Sequence, residues 1–287
     1  MSKTLNFLQL LSSELSVSAI DDIAAEALHR LAVKNRMAMP LLEKLAEGKC
    51  KKFMQLYQNE QTKYWKILKA TGKVSKLLKE SHVKHAVFKT VRPYRSATVD
   101  IDTIIFGNLE VYQKANEKMR QAGYLIVGKG PMSTTFRDSE ANVGIDLYKE
   151  IAVSCVCYLD KEKLRNFTCN MMLPTGQQID TLTPEADLLA IIAHSIVKEQ
   201  MYTLSEYYTF IHYLEQMDID NLVRMVKQNN ITLATRTHAA ITASLHKAAH
   251  GKTPEKLEQI LDELGQENFE TTRLIRNNFV TPHKYHP

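Results

Sequence analysis

At 287 residues the chain is longer than one minimal core requires and reads as a large domain or two to three modules. Its 44% hydrophobic and 24% charged residues exclude a disordered chain, and ten glycines with eight prolines favour a helix-rich fold over an all-β one. A net charge of +5, no long basic run and a single tryptophan leave nucleic acid allowed as a partner without indicating it.

Residues 1–80 are expected to be helical almost throughout. Ile20, Ile23, Ala24, Ala27, Leu28 and Leu31 recur at three- and four-residue steps, which predicts one buried stripe. A helix over 39–46 closes at Gly48. A longer one over about 51–79 turns Phe53, Leu56, Tyr57, Tyr64, Ile67 and Leu68 inward, with Tyr64 and Trp65 as packing residues.

The pattern changes near residue 81. Short apolar runs at 85–88, 99–106, 124–127, 133–136, 143–148 and 151–159 have strand length and β-branched or aromatic enrichment. Between the second and third, Tyr112, Ala115, Met119 and Ala122 line one helical face, with Asn108 as its cap and Gly123 as its end. Strand, helix, strand implies a crossover unit, and a hairpin turn over 136–143 implies an antiparallel pair, so the sheet is expected to be mixed. From Thr183, read as an N-cap ahead of Pro184, the helical period returns, with Leu188, Ile191, Ile192 and Ile196 as an apolar face. Further helices follow over 212–215, 220–228, 233–249 and 254–264, then a loosely ordered tail over 279–287. The expected organisation is a helical region at 1–80, an α/β (α+β) core at 81–180 and a second helical region at 181–287.

Cys50, Cys155, Cys157 and Cys169 lack a second Cys or His pair at zinc-finger spacing, so free thiols in a reducing compartment are expected. No secretory h-region stands at the start, and no run approaches the ~20 apolar residues of a membrane span. The expected location is cytoplasmic, with no membrane partner.

Asp100 and Asp102 lie two apart inside a strand-like apolar run, with Val99, Ile101, Thr103 and Ile105 on the opposite side. Alternation turns both carboxylates to one face about 6.6 Å apart along the backbone. Asp146, between Ile145 and Leu147, sits in a second such run. If the two strands pair, three carboxylates meet and can hold two Mg²⁺ (or Mn²⁺) ions for in-line phosphoryl displacement. Lys89, Arg92 and Arg95 precede the acidic strand and can neutralise a triphosphate, and Lys149 is a weaker candidate of that type. The competing reading leaves Arg92 and Arg95 solvated or balancing the acids. His194 on an apolar helix reads from its surroundings as a core histidine, and His246 with His250 makes a poor metal site without a neighbouring Glu. P-loop, dinucleotide-fold and nucleophile-elbow motifs are missing from the sequence.

The order of apolar strand, loop, D-x-D strand, helix ending in Gly and apolar strand with a third Asp resembles the nucleotidyltransferase superfamily. It is most similar to the branch called uncharacterised nucleotidyltransferases, over roughly residues 75–215. The resemblance implies a nucleotidyltransferase-like mixed sheet flanked by helices, with Asp100 and Asp102 as metal ligands and Asp146 as third ligand or base. It implies an NTP substrate, ATP first, with His194 against the nucleotide. It leaves the acceptor open among RNA, protein and small molecules. One departure stands out: where the superfamily has Gly-Ser, or this branch Lys-Gly, the chain has Lys89-Thr90. Thr90 offers a hydroxyl to phosphate or marks lost triphosphate binding. The alternatives are therefore an inactive nucleotide-binding or regulatory module of the same fold, and a helical interaction scaffold.

Overall fold

The computed structural model describes residues 2–48, 51–153, 156–265 and 283–284. They form two compact units, one drawn from Met1–Gln61, Pro93–Ser96 and Ile191–Pro287, the other from Thr62–Arg92 and Ala97–Ala190. The architecture is mixed α/β. Cys50, Cys155 and the 279–287 tail, apart from residues 283–284, lie outside the described residues. Cys157 and Cys169 are free thiols. Among the described residues no helix is long and apolar enough to cross a membrane.

The first unit is helical. It contains α1 (Lys3–Leu11), α2 (Asp22–Lys34), α3 (Ala38–Glu47) and the first part of α4 (Lys51–Glu80). Phe7, Leu28, Leu31, Leu41, Leu45, Phe53, Tyr202, Tyr207, Ile241 and Leu245 form one core cluster in this unit. The buried stripe on α2 differs from the expected one. Ala25, Leu28, Leu31 and Ala32 are buried, whereas Ile23 is 80% exposed. Two apolar stripes overlap in this sequence and share Leu28 and Leu31, and tertiary packing buries the one that carries Ala25 and Ala32. Leu56 of α4, expected inside, is also exposed.

The second unit is built on a seven-stranded mixed sheet. Its strands are β1 (His85–Phe88), β2 (Asp100–Ile105), β3 (Leu125–Lys129), β4 (Ser133–Asp138), β5 (Val143–Tyr148), β8 (Thr168–Met172) and β9 (Gln178–Leu182), in the order β3-β4-β5-β2-β1-β9-β8. The expected run at 151–159 is a separate two-stranded ribbon of β6 (Ile151–Val153) and β7 (Val156–Leu159). β8 and β9 are strands that the sequence pattern did not announce. Helix α5 (Leu109–Gln121) has the expected cap, Asn108 accepting from the Val111 N–H, and ends at Gly123 with φ +89, where a left-handed residue is needed. It connects β2 to β3 across two intervening strands. Helix α6 (Lys161–Leu164) follows β7, and buried Lys161 donates from Nζ to the main-chain oxygens of Ile105, Gly107 and Lys149. Helix α7 (Pro184–Ile192) follows β9, but among the described residues the buried Thr183 hydroxyl finds no hydrogen-bond partner, so the expected side-chain cap is not formed.

Period-two alternation divides the sheet. Ile101, Ile105, Ile145 and Leu147 pack with Ile67, Val74 and Leu78 of α4 and Tyr112, Ala115 and Met119 of α5. The intervening side chains, among them Asp100, Asp102 and Asp146, therefore stand on the other face. Val99, expected in this strand, precedes it and is 79% exposed.

In the helical unit, α8 (Leu204–Leu214), α9 (Ile219–Gln228), α10 (Thr232–His250) and α11 (Glu255–Leu264) complete the packing. His238 of α10 is fully buried beside the Tyr202 and Phe210 rings, at 4.7 and 5.4 Å between centroids, and among the described residues neither ring nitrogen has a hydrogen-bond partner. Burial pushes its pKa down from 6.5 to about 3. The unfolded chain therefore takes up this proton first as pH falls. Stability from His238 is complete above about pH 6.5 and declines below it by up to about 1.4 kcal/mol per pH unit until the folded group titrates. Urea midpoints measured from pH 7.5 to 4.5 should fall less steeply for His238→Phe than for wild type; parallel curves would contradict this.

Candidate metal centre and phosphate loop

Pairing of β2 with β5 places the acids. The two strands run parallel, with Asp102 opposite Asp146 and Asp100 opposite Gly144. Neighbouring strands stand about 4.8 Å apart, so Asp102 and Asp146 project side by side, and Asp100 follows on the same face. One carboxylate oxygen from each of the three lies within 4.8 Å of the others. Asp102 is buried, and Asp100 and Asp146 are half-buried.

β4 adds a residue that the motif reading missed. Thr135 stands opposite Asp146, and its hydroxyl donates to Asp146 Oδ1. The signal was present in the hairpin, because a short turn after Asp138 fixes Thr135 against Asp146 by counting back. Tyr148, two residues beyond Asp146, was missed too. Burial, followed by the charges of Asp102 and Asp146, pushes its hydroxyl pKa far above the ordinary phenol value. It remains a neutral phenol.

The end of β1 gives Lys89 and Thr90 their places. Phe88 is the last β1 residue in register, opposite Asp102. The Asp102 N–H is then taken by the Thr90 hydroxyl at 2.8 Å, and the same hydroxyl donates to the Phe88 main-chain oxygen at 3.2 Å. Thr90 thus extends the ladder by a side chain and holds the main chain of a site carboxylate. Lys89 takes the left-handed conformation at this turn, with φ +57, a sparsely populated region for a residue with a Cβ. Asp187 of α7 fixes it by accepting the Lys89 N–H at 2.6 Å. The Lys89 ammonium lies 3.3 Å from Asp102 Oδ2.

Asp100, Asp102, Asp146, Lys89 and Thr90 are thus brought together, and Arg92 is half-buried in the same unit. Arg95 and His194 belong to the helical unit. Arg95 pairs with Glu43 and lies 3.4 Å from the Tyr57 hydroxyl, and adjacent Tyr94 hydrogen-bonds Ser205 and Thr209. His194 lies in a π-helical turn, Ala193–Lys198, with Nε2 3.5 Å from Glu199 Oε1. His246 bonds the Tyr207 hydroxyl and His250 pairs with Glu14.

No family model matches the chain, and no curated protein matches it either. Among solved structures, an antigenic nucleotidyltransferase-like protein from Paracoccidioides brasiliensis aligns over 65% of this chain and 97% of its own, with 11% identity and a TM-score of 0.38.

Thr90→Val removes the acceptor for a buried N–H while keeping the shape. It should lower stability by about 1–3 kcal/mol in urea denaturation. An unshifted midpoint would remove the bracing role.

Proposed function

We propose that the protein is a Mg²⁺- or Mn²⁺-dependent nucleotidyltransferase that moves a nucleoside monophosphate from an NTP, ATP first, to a hydroxyl acceptor. The observation that carries this reading is the convergence of three carboxylates on adjacent strands, with oxygens within 4.8 Å of one another. Hard oxygen donors in that number suit a hard divalent cation, and carboxylates gathered on a partly buried face are costly without positive charge.

In this proposal Asp100 and Asp102 are the principal ligands and Asp146 the third. The bound cation would neutralise charge on the triphosphate and polarise its α-phosphorus. The acceptor oxygen forms a bond to the α-phosphorus as the bond to the β-phosphate bridging oxygen breaks, and pyrophosphate leaves. Asp146 takes the proton of the attacking hydroxyl, and the Thr135 hydroxyl orients its carboxylate. Lys89 and Arg92 are assigned to the phosphates. Thr90 is assigned to bracing Asp102, because its hydroxyl already serves two main-chain groups. The reading rests on the sheet unit alone, and Arg95 and His194, each beside an acidic partner, carry no part of it.

The test is label transfer and pyrophosphate release from the four α-labelled NTPs with Mg²⁺ or Mn²⁺. Total RNA, a protein extract, small alcohols and no acceptor form separate arms. Wild type should transfer label in one arm, and Asp100→Asn should lose at least about 100-fold with its circular dichroism unchanged. Full activity in Asp100→Asn overturns the ligand assignment. Silence of wild type in every arm overturns the enzyme reading.

A further inference from the structure

We infer that Lys89 is a tethered competitor for the divalent cation, a built-in positive charge on Asp102 that sets how tightly the free protein binds metal. The inference rests on the metal reading of the three carboxylates and deepens it.

Lys89 is not a mobile surface lysine. It is 7% exposed and Asp102 6%. Both partners are fixed through their main chains, Lys89 by the Asp187 carboxylate on its N–H and Asp102 by the Thr90 hydroxyl on its own. Asp187 is itself buried, so the Lys89 main chain is clamped. The ammonium lies 3.3 Å from Asp102 Oδ2, 4.7 Å from the centre of the Phe88 ring and 5.4 Å from that of Tyr148. The Asp102 carboxylate and the Phe88 and Tyr148 rings thus stand around this charge, with the rings contributing cation–π attraction.

A divalent ion entering among Asp100, Asp102 and Asp146 must share Asp102 with this ammonium. Two like charges close together at a poorly hydrated site repel strongly, because little water screens them. Metal binding therefore carries the cost of weakening or breaking the Lys89–Asp102 pair. The free protein is tuned to hold metal weakly, and an incoming polyphosphate favours metal uptake by offering the displaced ammonium a new anion.

The experiment is a Mn²⁺ titration of the full chain without nucleotide, following free Mn²⁺ by electron paramagnetic resonance. It compares wild type, Lys89→Met, Lys89→Gln, Lys89→Arg and Asp100→Asn. Lys89→Gln keeps a hydrogen-bond donor for Asp102 without the charge, and near-UV circular dichroism identifies the variants that fold as wild type. Lys89→Met and Lys89→Gln should bind Mn²⁺ at least about 10-fold more tightly than wild type, and Lys89→Arg should stay close to wild type. If wild type binds Mn²⁺, Asp100→Asn loses it and the uncharged variants bind no more tightly, the competition is overturned and the metal site stands. If no variant and no wild-type sample takes up Mn²⁺, the metal reading falls and this inference with it.

Discussion

Parallel hydrogen bonding between β2 and β5 sets Asp102 beside Asp146, and the proposed chemistry depends on that register. A slip of one residue would turn the Asp146 carboxylate into the apolar layer against α5 and bring Ile145 out onto the acidic face. What prevents the slip is the same alternation that places the acids. Ile101, Ile105, Ile145 and Leu147 are all committed to the cluster under α4 and α5. Burial of these four side chains selects the register, and the carboxylates are carried to the opposite face as a consequence.

Gathering acids on a folded face requires compensation, and the surroundings supply it in several forms. Lys89 provides a full charge to Asp102, Thr135 a hydroxyl to Asp146, and Thr90 a hydrogen bond to the Asp102 main chain. Asp187, Lys89, Thr90 and Asp102 thus form a chain of contacts from α7 through the end of β1 to β2. The left-handed backbone at Lys89 is the strained element of that chain, and the buried Asp187 carboxylate holds it in place. In this turn the left-handed residue is Lys89, and the hydroxyl at position 90 serves the main chains of Phe88 and Asp102.

Much of the sheet could be read from residues alone, because the determining signals are local. Asp100 with Asp102 and Asp146 between apolar neighbours show their faces through the two-residue period, and Asn108 and Gly123 bracket α5 by capping chemistry. The pairing partner of β2 could not be read, since it depends on contacts between segments more than forty residues apart. The Lys89–Asp102 pair was hidden for a similar reason, as an excursion of eleven residues separates β1 from β2. β8 and β9 escaped because Thr168–Met172 is Met-bearing and polar, and the turn signal around Gly176 has no β-branched run before it. On α2, two competing apolar stripes made Ile23 look buried when only tertiary packing decides between them.

Metal binding by the three carboxylates is tested by a crystal grown with Mn²⁺ and a non-hydrolysable NTP analogue, examined by anomalous scattering. A Mn²⁺ peak is expected among Asp100, Asp102 and Asp146, bonded to oxygens of at least two of them and to the triphosphate. A nucleotide and its Mn²⁺ bound elsewhere, with the three carboxylates holding no metal, would contradict it.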